Sequence, residues 1–495
     1  MVGRIAVIGG GIGGLVAALD LAVAGCDVTL LERQPTLGGK LRVLGPGIDA
    51  GPTVFTMRWV FDEIFANAGT SLDSRLTLRR AHVLARHAWN EQDKLDLFAD
   101  LQETADAIGR FAGAAEARGF LAFSARAKNI YETLEKPFLR AQLPTPISLA
   151  TGAGLAGLPG LMRISPFETL TGALKKFFAD PRLRQLFGRY ATYCGSSPYL
   201  APATLMLVAH VERDGVWLVQ GGMYGLVQAL GALAAEKGVR IRCAAEVSRI
   251  GITHGRASFL TLSDGECIEA DAIVLNADPF ALPQNLFGVD AARALRAGKS
   301  RNRSQSAITW AVQARTLGFA LSRHNVFFSE DYAAEFDDVF GRRCPPASPT
   351  VYVCAQDRDE EDAPPAGAER LLCLINAPPY GDSKTPTESE MDGWSKSMWS
   401  RLKACGLQVH PAEMPAAITT PDRFSSLFPG TGGALYGQAV HGSMATFRRP
   451  GATTRVPGLY LAGGATHPGA GVPMAALSGR LAAARVIADG VSTRR

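Results

Sequence analysis

No Cys-x-x-Cys pair occurs among the eight cysteines of this 495-residue sequence, which stand apart at 26, 194, 243, 267, 344, 354, 373 and 405. Structural zinc sites and dithiol redox centres are built from close pairs, so the spacing excludes both. The eight histidines are equally scattered, with no His-x3-His step, and no metal site is expected. Ordinary cysteine usage fits reduced thiols in a cytoplasmic setting. No run of 18 predominantly apolar residues is free of chain breakers, so no transmembrane helix is predicted. Charge of one sign is also missing: 51 basic residues against 46 acidic ones leave a net charge of +5. A nucleic-acid binder concentrates such charge on one face, and no nucleic-acid partner is expected here. The densest basic stretch, Arg293, Arg296, Lys299, Arg301 and Arg303, contains no aromatic residue. It reads as solvated surface, with an anionic lipid surface as the other reading.

What is abundant is apolar residues, at 47%, and glycine, with 53 copies clustered toward the two ends. That composition is globular, with enough length for two or three units at ~150 residues each. The apolar run Ile5 to Leu19 is interrupted by Gly9, Gly10, Gly11, Gly13 and Gly14 and precedes no small-residue cleavage site. It therefore reads as strand, turn and helix rather than as a secretory leader. Asp27 to Leu31 is a second strand. Leu101 to Ala125 has helical spacing, and Asp180-Pro181 opens a helix that runs to Arg189. Gly225 to Lys237 is a helix followed by the strand Val239 to Cys243, and Ser263-Asp264-Gly265 joins the strands Ala257–Leu262 and Cys267–Leu275 as a hairpin. Further strands are predicted at Ala307–Ala314, Asn325–Ser329, Thr350–Cys354, Arg370–Ile375 and Leu459–Ala462, and a last helix at Val472–Ile487. Asp357 to Pro365 reads as an exposed loop. Ala141 to Met162 carries no charge, but its three prolines and four glycines argue against one spanning helix. It is either a buried, broken segment or a surface that dips into lipid.

The chemistry sits at the two ends. Gly9, Gly11 and Gly14 form the G-x-G-x-x-G spacing between a strand and a helix. The first glycine allows the tight turn, the second lets backbone approach a pyrophosphate, and the third lets helix pack on strand. The helix N-terminus then offers the phosphates free N–H groups. Glu32 ends the next strand, where a ribose hydroxyl pair is bound, and an acid there favours FAD or NAD over NADP. A second glycine loop, Leu37-Gly38-Gly39-Lys40, follows at once and suits an extended flavin dinucleotide. At the other end, the strand Leu459 to Ala462 runs into Gly463-Gly464-Ala465-Thr466-His467-Pro468-Gly469-Ala470-Gly471 and a helix. A helix N-terminus beside a flavin would stabilise the reduced, anionic ring. His467 is either a structural histidine or a neighbour of that ring.

These blocks, with Gly215-Val-Trp-Leu-Val-Gln-Gly221-Gly222-Met223 and Asp271-Ala-Ile-Val-Leu-Asn-Ala-Asp278-Pro279 between them, resemble the bacterial FAD-dependent carotenoid desaturases of the phytoene desaturase type. They span the whole chain in the family's order, and the Thr466 to Pro473 run is its most specific part. Arg189-Tyr190-Ala-Thr-Tyr193-Cys-Gly-Ser-Ser-Pro198-Tyr199 and Pro349-Thr-Val-Tyr352 to Arg358 are most similar to the 1-hydroxycarotenoid 3,4-desaturases, also called methoxyneurosporene dehydrogenases. Arg323-His324 departs from the paired histidines of many relatives. The resemblance implies an α/β fold: a Rossmann-like FAD-binding domain of the amine-oxidase type with an inserted α+β substrate domain. The FAD domain would comprise 1–70, 215–285 and 440–495, and the substrate domain 71–214 and 286–439, with 141–162 contacting the membrane.

The resemblance further implies that Gly9, Gly11, Gly14, Glu32, Arg33, Gly39, Lys40, Val247, Gly463 and Val472 line FAD. The reaction implied is 3,4-desaturation of a hydroxyneurosporene-type carotenoid, with a phytoene or neurosporene desaturase and a flavin-dependent carotenoid isomerase as alternatives. The partners implied are a lipophilic carotenoid, the surface of the inner or intracytoplasmic membrane, and a quinone or oxygen as electron acceptor. An allylic C–H is too poor an acid for a side-chain base to start the reaction near neutral pH. Hydride departure to the flavin is easier, so the protein mainly positions an apolar substrate. A substrate hydroxyl calls for one polar group in an apolar wall, for which Tyr190, Tyr193 and His324 are the candidates. Glu212 and Asp214 either approach the flavin side or are plain surface charges.

Overall fold

The computed structural model describes residues 3–145, 164–296, 302–358, 363, 365–412 and 416–492. Most of the uncharged segment at 141–162 and part of the basic stretch, Lys299 and Arg301, lie outside the described residues. Five short strands make a parallel sheet: β1 (Arg4–Ile8), β2 (Asp27–Leu31), β3 (Arg240–Arg242), β4 (Ala272–Leu275) and β5 (Leu459–Leu461). Their order is β5-β4-β1-β2-β3. The chain leaves β1 toward β2 on one side and returns to β4 on the other. That reversal opens a crevice at the carboxyl ends of β1 and β4, where open α/β sheets bind ligands.

Two helices cover one face of this sheet, α1 (Ile12–Val23) and α2 (Val472–Ser492). α1 has no polar stripe, and nearly all of it from Ile12 to Leu21 is buried, as expected of a helix enclosed on all sides. α2 meets it with the small residues Ala475, Ala476, Ser478, Gly479, Ala482 and Ala483. The approach is close enough that a Cβ on Gly479 would stand 2.3 Å from the Gly13 carbonyl oxygen. Arg480 fastens α2 to Asp20 of α1 at 3.2 Å and to Glu63 at 3.0 Å.

The second layer is an eight-stranded, mostly antiparallel sheet. Leu407–Pro411 and Ala417–Thr419 share one edge of the long strand Ser306–Gly318. Glu369–Ala377, Val351–Ala355, His324–Phe327, Val83–Ala88 and Lys94–Phe98 follow in that order. Trp310, Val312, Phe327, Val353 and Cys373 fill a core between this sheet and the helix Glu388–Ala404. Helices from 101 to 139 and from 170 to 214 close the space between the layers.

Several expectations need correction. The helix expected over Leu101–Ala125 is two, Leu101–Ala112 and Ala114–Leu134, because Gly113 breaks it at φ +100°. The expected strand Cys267–Leu275 also divides. Cys267–Glu269 pairs with Arg256–Leu262 through the Gly265 turn, and Ala272–Leu275 is β4 of the parallel sheet. Arg303 is not solvated surface; it is 9% exposed and pairs with Asp382 at 2.6 Å. Asp357 and Arg358 are not an exposed loop start either: Arg358 is buried against Glu369 at 2.8 Å, and Asp357 holds Arg370. In both places the charged side chain finds its partner elsewhere in the chain, which spacing along the sequence does not reveal.

Candidate active site

A cavity of about 1020 Å³ lies between the carboxyl ends of β1 and β4 and the inner face of the eight-stranded sheet. That is at the upper limit of ordinary ligand sites, ~300–1,000 Å³, and its walls change character along the way. At one end they are backbone and glycine. Gly11 caps α1 in extended conformation, with no side chain bonded to the first turn and no acid in it. The first amides of the helix therefore remain free, and Ile12 and Gly13 line the cavity. Gly9 turns at φ +97°, and a Cβ there would fall 2.6 Å from the Asn276 carbonyl oxygen. Gly14 does not line the cavity; a Cβ on it would sit 2.0 Å from the Gly9 carbonyl, so its part is to let helix meet turn.

The second glycine loop lies against the first. The Gly38 N–H donates to the Gly10 carbonyl at 2.9 Å, and a Cβ on Gly39 would stand 3.2 Å from the Gly11 Cα. Glu32 is buried and accepts the Gly10 N–H at 2.7 Å and the Gln34 N–H at 2.8 Å. Each of its oxygens keeps a lone pair for a further donor. Arg33 and Val247 line the cavity beside it. Lys40 donates to the Leu435 carbonyl at 2.5 Å, and burial pushes its ammonium down to about 8. Gly463 and Val472 enter from the third loop and the first turn of α2. Thr466 holds that loop by donating to the Gly463 carbonyl at 2.6 Å.

Thus every expected FAD-lining residue except Gly14 borders one cavity. Three glycine-rich loops border it, and two helix starts offer it backbone N–H groups. That donor set fits a pyrophosphate and a flat polar ring.

The other walls are apolar: Leu134, Phe138, Leu139, Leu205, Val208 and Val326. Set into them is a small polar group. Tyr193 lines the cavity and donates to Glu212 at 2.5 Å, while Tyr190, which does not line it, donates to the other oxygen of Glu212 at 2.5 Å. Glu212 is 2% exposed, so it is not a surface charge. Arg189 also lines the cavity. Burial alone would lower its pKa, but the facing Tyr193, Glu212 and Tyr190 oxygens outweigh this and hold it charged.

His324 and His467 are buried outside the lining. His324 Nδ1 meets the Tyr352 hydroxyl at 2.8 Å, and that hydroxyl meets Thr53 at 2.6 Å. His467 Nε2–H donates to the Phe138 carbonyl at 3.0 Å, with its ring edge-on to Phe138, and so steadies that wall. Sequence reasoning missed Asn276, whose side-chain N–H donates to the Gly9 carbonyl at 3.1 Å. Its position directly after the buried strand Ala272–Leu275, opening the run Asn-Ala-Asp, was the available signal. It also missed Asp49, which caps the helix Tyr224–Glu236 by accepting the Met223 N–H at 2.7 Å. Gly222 is small because a Cβ there would meet that carboxylate at 2.2 Å.

The model of the flavin containing amine oxidoreductase family matches residues 12–487. The chain belongs to that family. It is 51% identical, over 99% of its length and 94% of the relative's, to a protein of Rubrivivax gelatinosus named hydroxyneurosporene desaturase. A protein of the same name from Cereibacter sphaeroides is 44% identical over 100% and 99% of the two chains. Within the flavin oxidoreductases the chain therefore falls among the carotenoid desaturases. Among solved structures, an oxidoreductase from Methanosarcina mazei shares the fold with a TM-score of 0.61 at 16% identity, covering 96% of this chain and 99% of that one. The family's cofactor is a flavin, and the dinucleotide-type glycine turn at one end of the cavity makes that flavin FAD. The protein is an FAD-dependent oxidoreductase.

Two predictions follow from the geometry. Glu32→Ala removes the acceptor that orients the first two glycine loops and should weaken FAD retention ~10- to 100-fold, read from the flavin-to-protein absorbance ratio after gel filtration. Full retention would remove Glu32 from the cofactor site. Burial holds His467 down to about 4 and His324 down to about 3. Both stay neutral in the folded state while the unfolded chain takes up protons below its ordinary ~6.5. Stability is therefore intact above about pH 7 and is lost as pH falls from there toward 4, by ~2 kcal/mol per histidine at about pH 5. Thermal unfolding at the two pH values checks this, and His467→Gln should remove that histidine's share of the difference; equal midpoints for the wild-type protein would contradict it.

Proposed function

We propose that the chain carries out 3,4-desaturation of a 1-hydroxylated acyclic carotenoid of the hydroxyneurosporene type. The observation that carries this reading is a single cavity with a dinucleotide end and a largely apolar remainder, into which polar side chains, Arg189 and Tyr193 among them, are set. The names of the relatives at 51% and 44% identity support the same substrate. When bound, FAD supplies the two-electron oxidant. Gly9, Gly11, Gly39, Gly463 and the first turns of α1 and α2 would hold it, with Glu32, Arg33 and Val247 at the adenosine end and Lys40 and Val472 further along.

The rest of the work falls to this chain's own walls. Leu134, Phe138, Leu205 and Val208 give the polyene an apolar bed and keep water from the carbon atoms that lose hydrogen. No side-chain base is needed to begin, because the C–H is too weakly acidic for one to act on it. Electrons pass onward to a quinone or to oxygen.

The substrate is delivered from lipid in this reading, and the enzyme works on the cytoplasmic face of the membrane. Near the cavity residues Ile164, Pro166 and Phe447 the surface exposes Phe167, 85% accessible, together with Leu143, Leu200 and Met444. These belong to one rim: the Gly442 N–H donates to the Leu200 carbonyl, Thr169 bridges Pro202, and Leu143 packs against Gly451. Contiguous exposed apolar side chains of this kind mark a lipid or partner surface. Among the described residues no helix is long and apolar enough to cross a membrane, so contact would be from one side.

Anaerobic mixing of the holoenzyme with vesicles tests the reaction. Vesicles carrying a 1-hydroxylated acyclic carotenoid should bleach the flavin and yield a product with one more double bond, while phytoene should not. Bleaching by phytoene alone would move the enzyme to an earlier step, and bleaching by neither would contradict desaturation. Flotation tests the rim: the wild-type protein should rise with the vesicles at low and high salt, and Phe167→Ser combined with Leu200→Ser should leave it in the aqueous fraction. A wild-type protein that never floats would contradict the lipid route.

A further inference from the structure

We infer that Arg189 and Tyr193 bind the substrate's hydroxyl and so select which CH2–CH2 unit is oxidised, an inference that rests on the hydroxylated-carotenoid reading above. Its starting point is a deficit. Arg189 is 8% exposed and charged, yet its guanidinium has few partners. Of its five N–H groups, one donates to the Tyr193 oxygen, at a long 3.4 Å. The approach to Glu212 is 3.9 Å, an ion pair but too far for a hydrogen bond. Its Nε is buried without a partner among the described residues and is closed to the cavity, so only the two terminal nitrogens are left to meet a ligand. A buried charge left this short of acceptors is costly unless a ligand completes it.

The surroundings say what kind of ligand that is. Arg189 and Tyr193 both border the cavity, whose lining also includes the apolar Val326, Leu374 and Val440. An anionic ligand is disfavoured because Glu212 already supplies the negative charge behind them, accepting both tyrosine hydroxyls at 2.5 Å. What remains is a neutral group that accepts from the guanidinium and donates to a phenol oxygen. Tyr193 spends its proton on Glu212, so its oxygen is an acceptor toward the cavity. An alcohol meets both demands, and a hydrocarbon end meets neither. In a 1-hydroxylated substrate the hydroxyl is only a few bonds from the carbons that lose hydrogen. Fixing it fixes them. Glu212 does not line the cavity; it is a positioning residue that holds the phenol and the guanidinium in place.

The test compares two polyenes that differ only in the hydroxyl, using the holoenzyme and vesicle-borne substrates. Tyr193→Phe should lower kcat/KM for the hydroxylated polyene ~10- to 100-fold more than for its unhydroxylated counterpart. Binding of the hydroxylated product, followed by the shift of its visible absorption, should weaken by a similar factor. Arg189→Met paired with Glu212→Gln, which removes both charges together, should lose the same discrimination. If that pair does not fold, Tyr193→Phe decides alone. Equal losses for the two polyenes, or unchanged discrimination, would overturn the assignment and leave the cluster a structural one. A wild-type enzyme that oxidises neither polyene would instead overturn the substrate reading beneath it.

Discussion

Everything in this molecule depends on how closely four stretches of backbone can approach at the carboxyl ends of β1 and β4. Asn276 is the meeting point. Its amide donates to the Gly9 carbonyl, while its oxygen stands only 2.8 Å and 2.6 Å from where Cβ atoms on Gly13 and Gly463 would be. Pieces of chain more than 180 residues apart are thereby held at van der Waals distance, and α2 adds its own contact through Gly479. No side chain larger than hydrogen fits at these points. The result is a wall of unused amides, and that wall is what a negatively charged dinucleotide needs. The apolar remainder of the cavity follows from the same geometry, because the second sheet can face the crevice only when the two chain ends close behind it.

The polar group in the apolar wall shows a different economy. Arg189 and Glu212 are both buried and stand 3.9 Å apart, with two phenols completing the carboxylate but not the guanidinium. Buried ion pairs are weak sources of stability, and in some proteins they serve specificity instead. Here the under-served member of the pair is the one that borders the cavity. Thr53, Tyr352 and His324 form a second hydrogen-bonded chain, of which Thr53 and the central Tyr352 also border it. A hydrocarbon pocket with a few fixed hydrogen-bonding points can tell an alcohol from an alkane far better than it can tell one methylene from two.

Much of this was legible in the residues. The glycine spacing at Gly9, Gly11 and Gly14, with Glu32 at the end of the next strand, announces the turn because strand, turn and helix are contiguous in the chain, although Gly9 and Gly11 also make room for the distant Asn276. Four strands of the second sheet, Ser306–Gly318, His324–Phe327, Val351–Ala355 and Glu369–Ala377, were legible as β-branched and aromatic runs, while Val83–Ala88, Lys94–Phe98, Leu407–Pro411 and Ala417–Thr419 were not. What could not be read was pairing across the chain. Arg303 with Asp382, Arg358 with Glu369 and Glu212 with two tyrosines are each joined by the fold and not by spacing. Tyr193 could be named as a candidate but not told apart from Tyr190, because the two stand three positions apart on a 3-10 turn and share a face, and only the fold brings Tyr193 to the cavity. His467 stands in the most specific motif of the chain, yet it serves a wall and not the cavity's interior.

The account's central claim is that one enclosure holds FAD and a hydroxylated polyene together, each against its own kind of wall. A crystal structure of the holoenzyme with the hydroxylated product bound tests it most directly. The account predicts a dinucleotide running from Glu32 past Gly11 and Gly39 to the first turn of α2, and a polyene whose hydroxyl lies within ~3 Å of Tyr193 Oη or the Arg189 guanidinium. A polyene bound outside this cavity, or bound with its hydrocarbon end against Arg189, would contradict it.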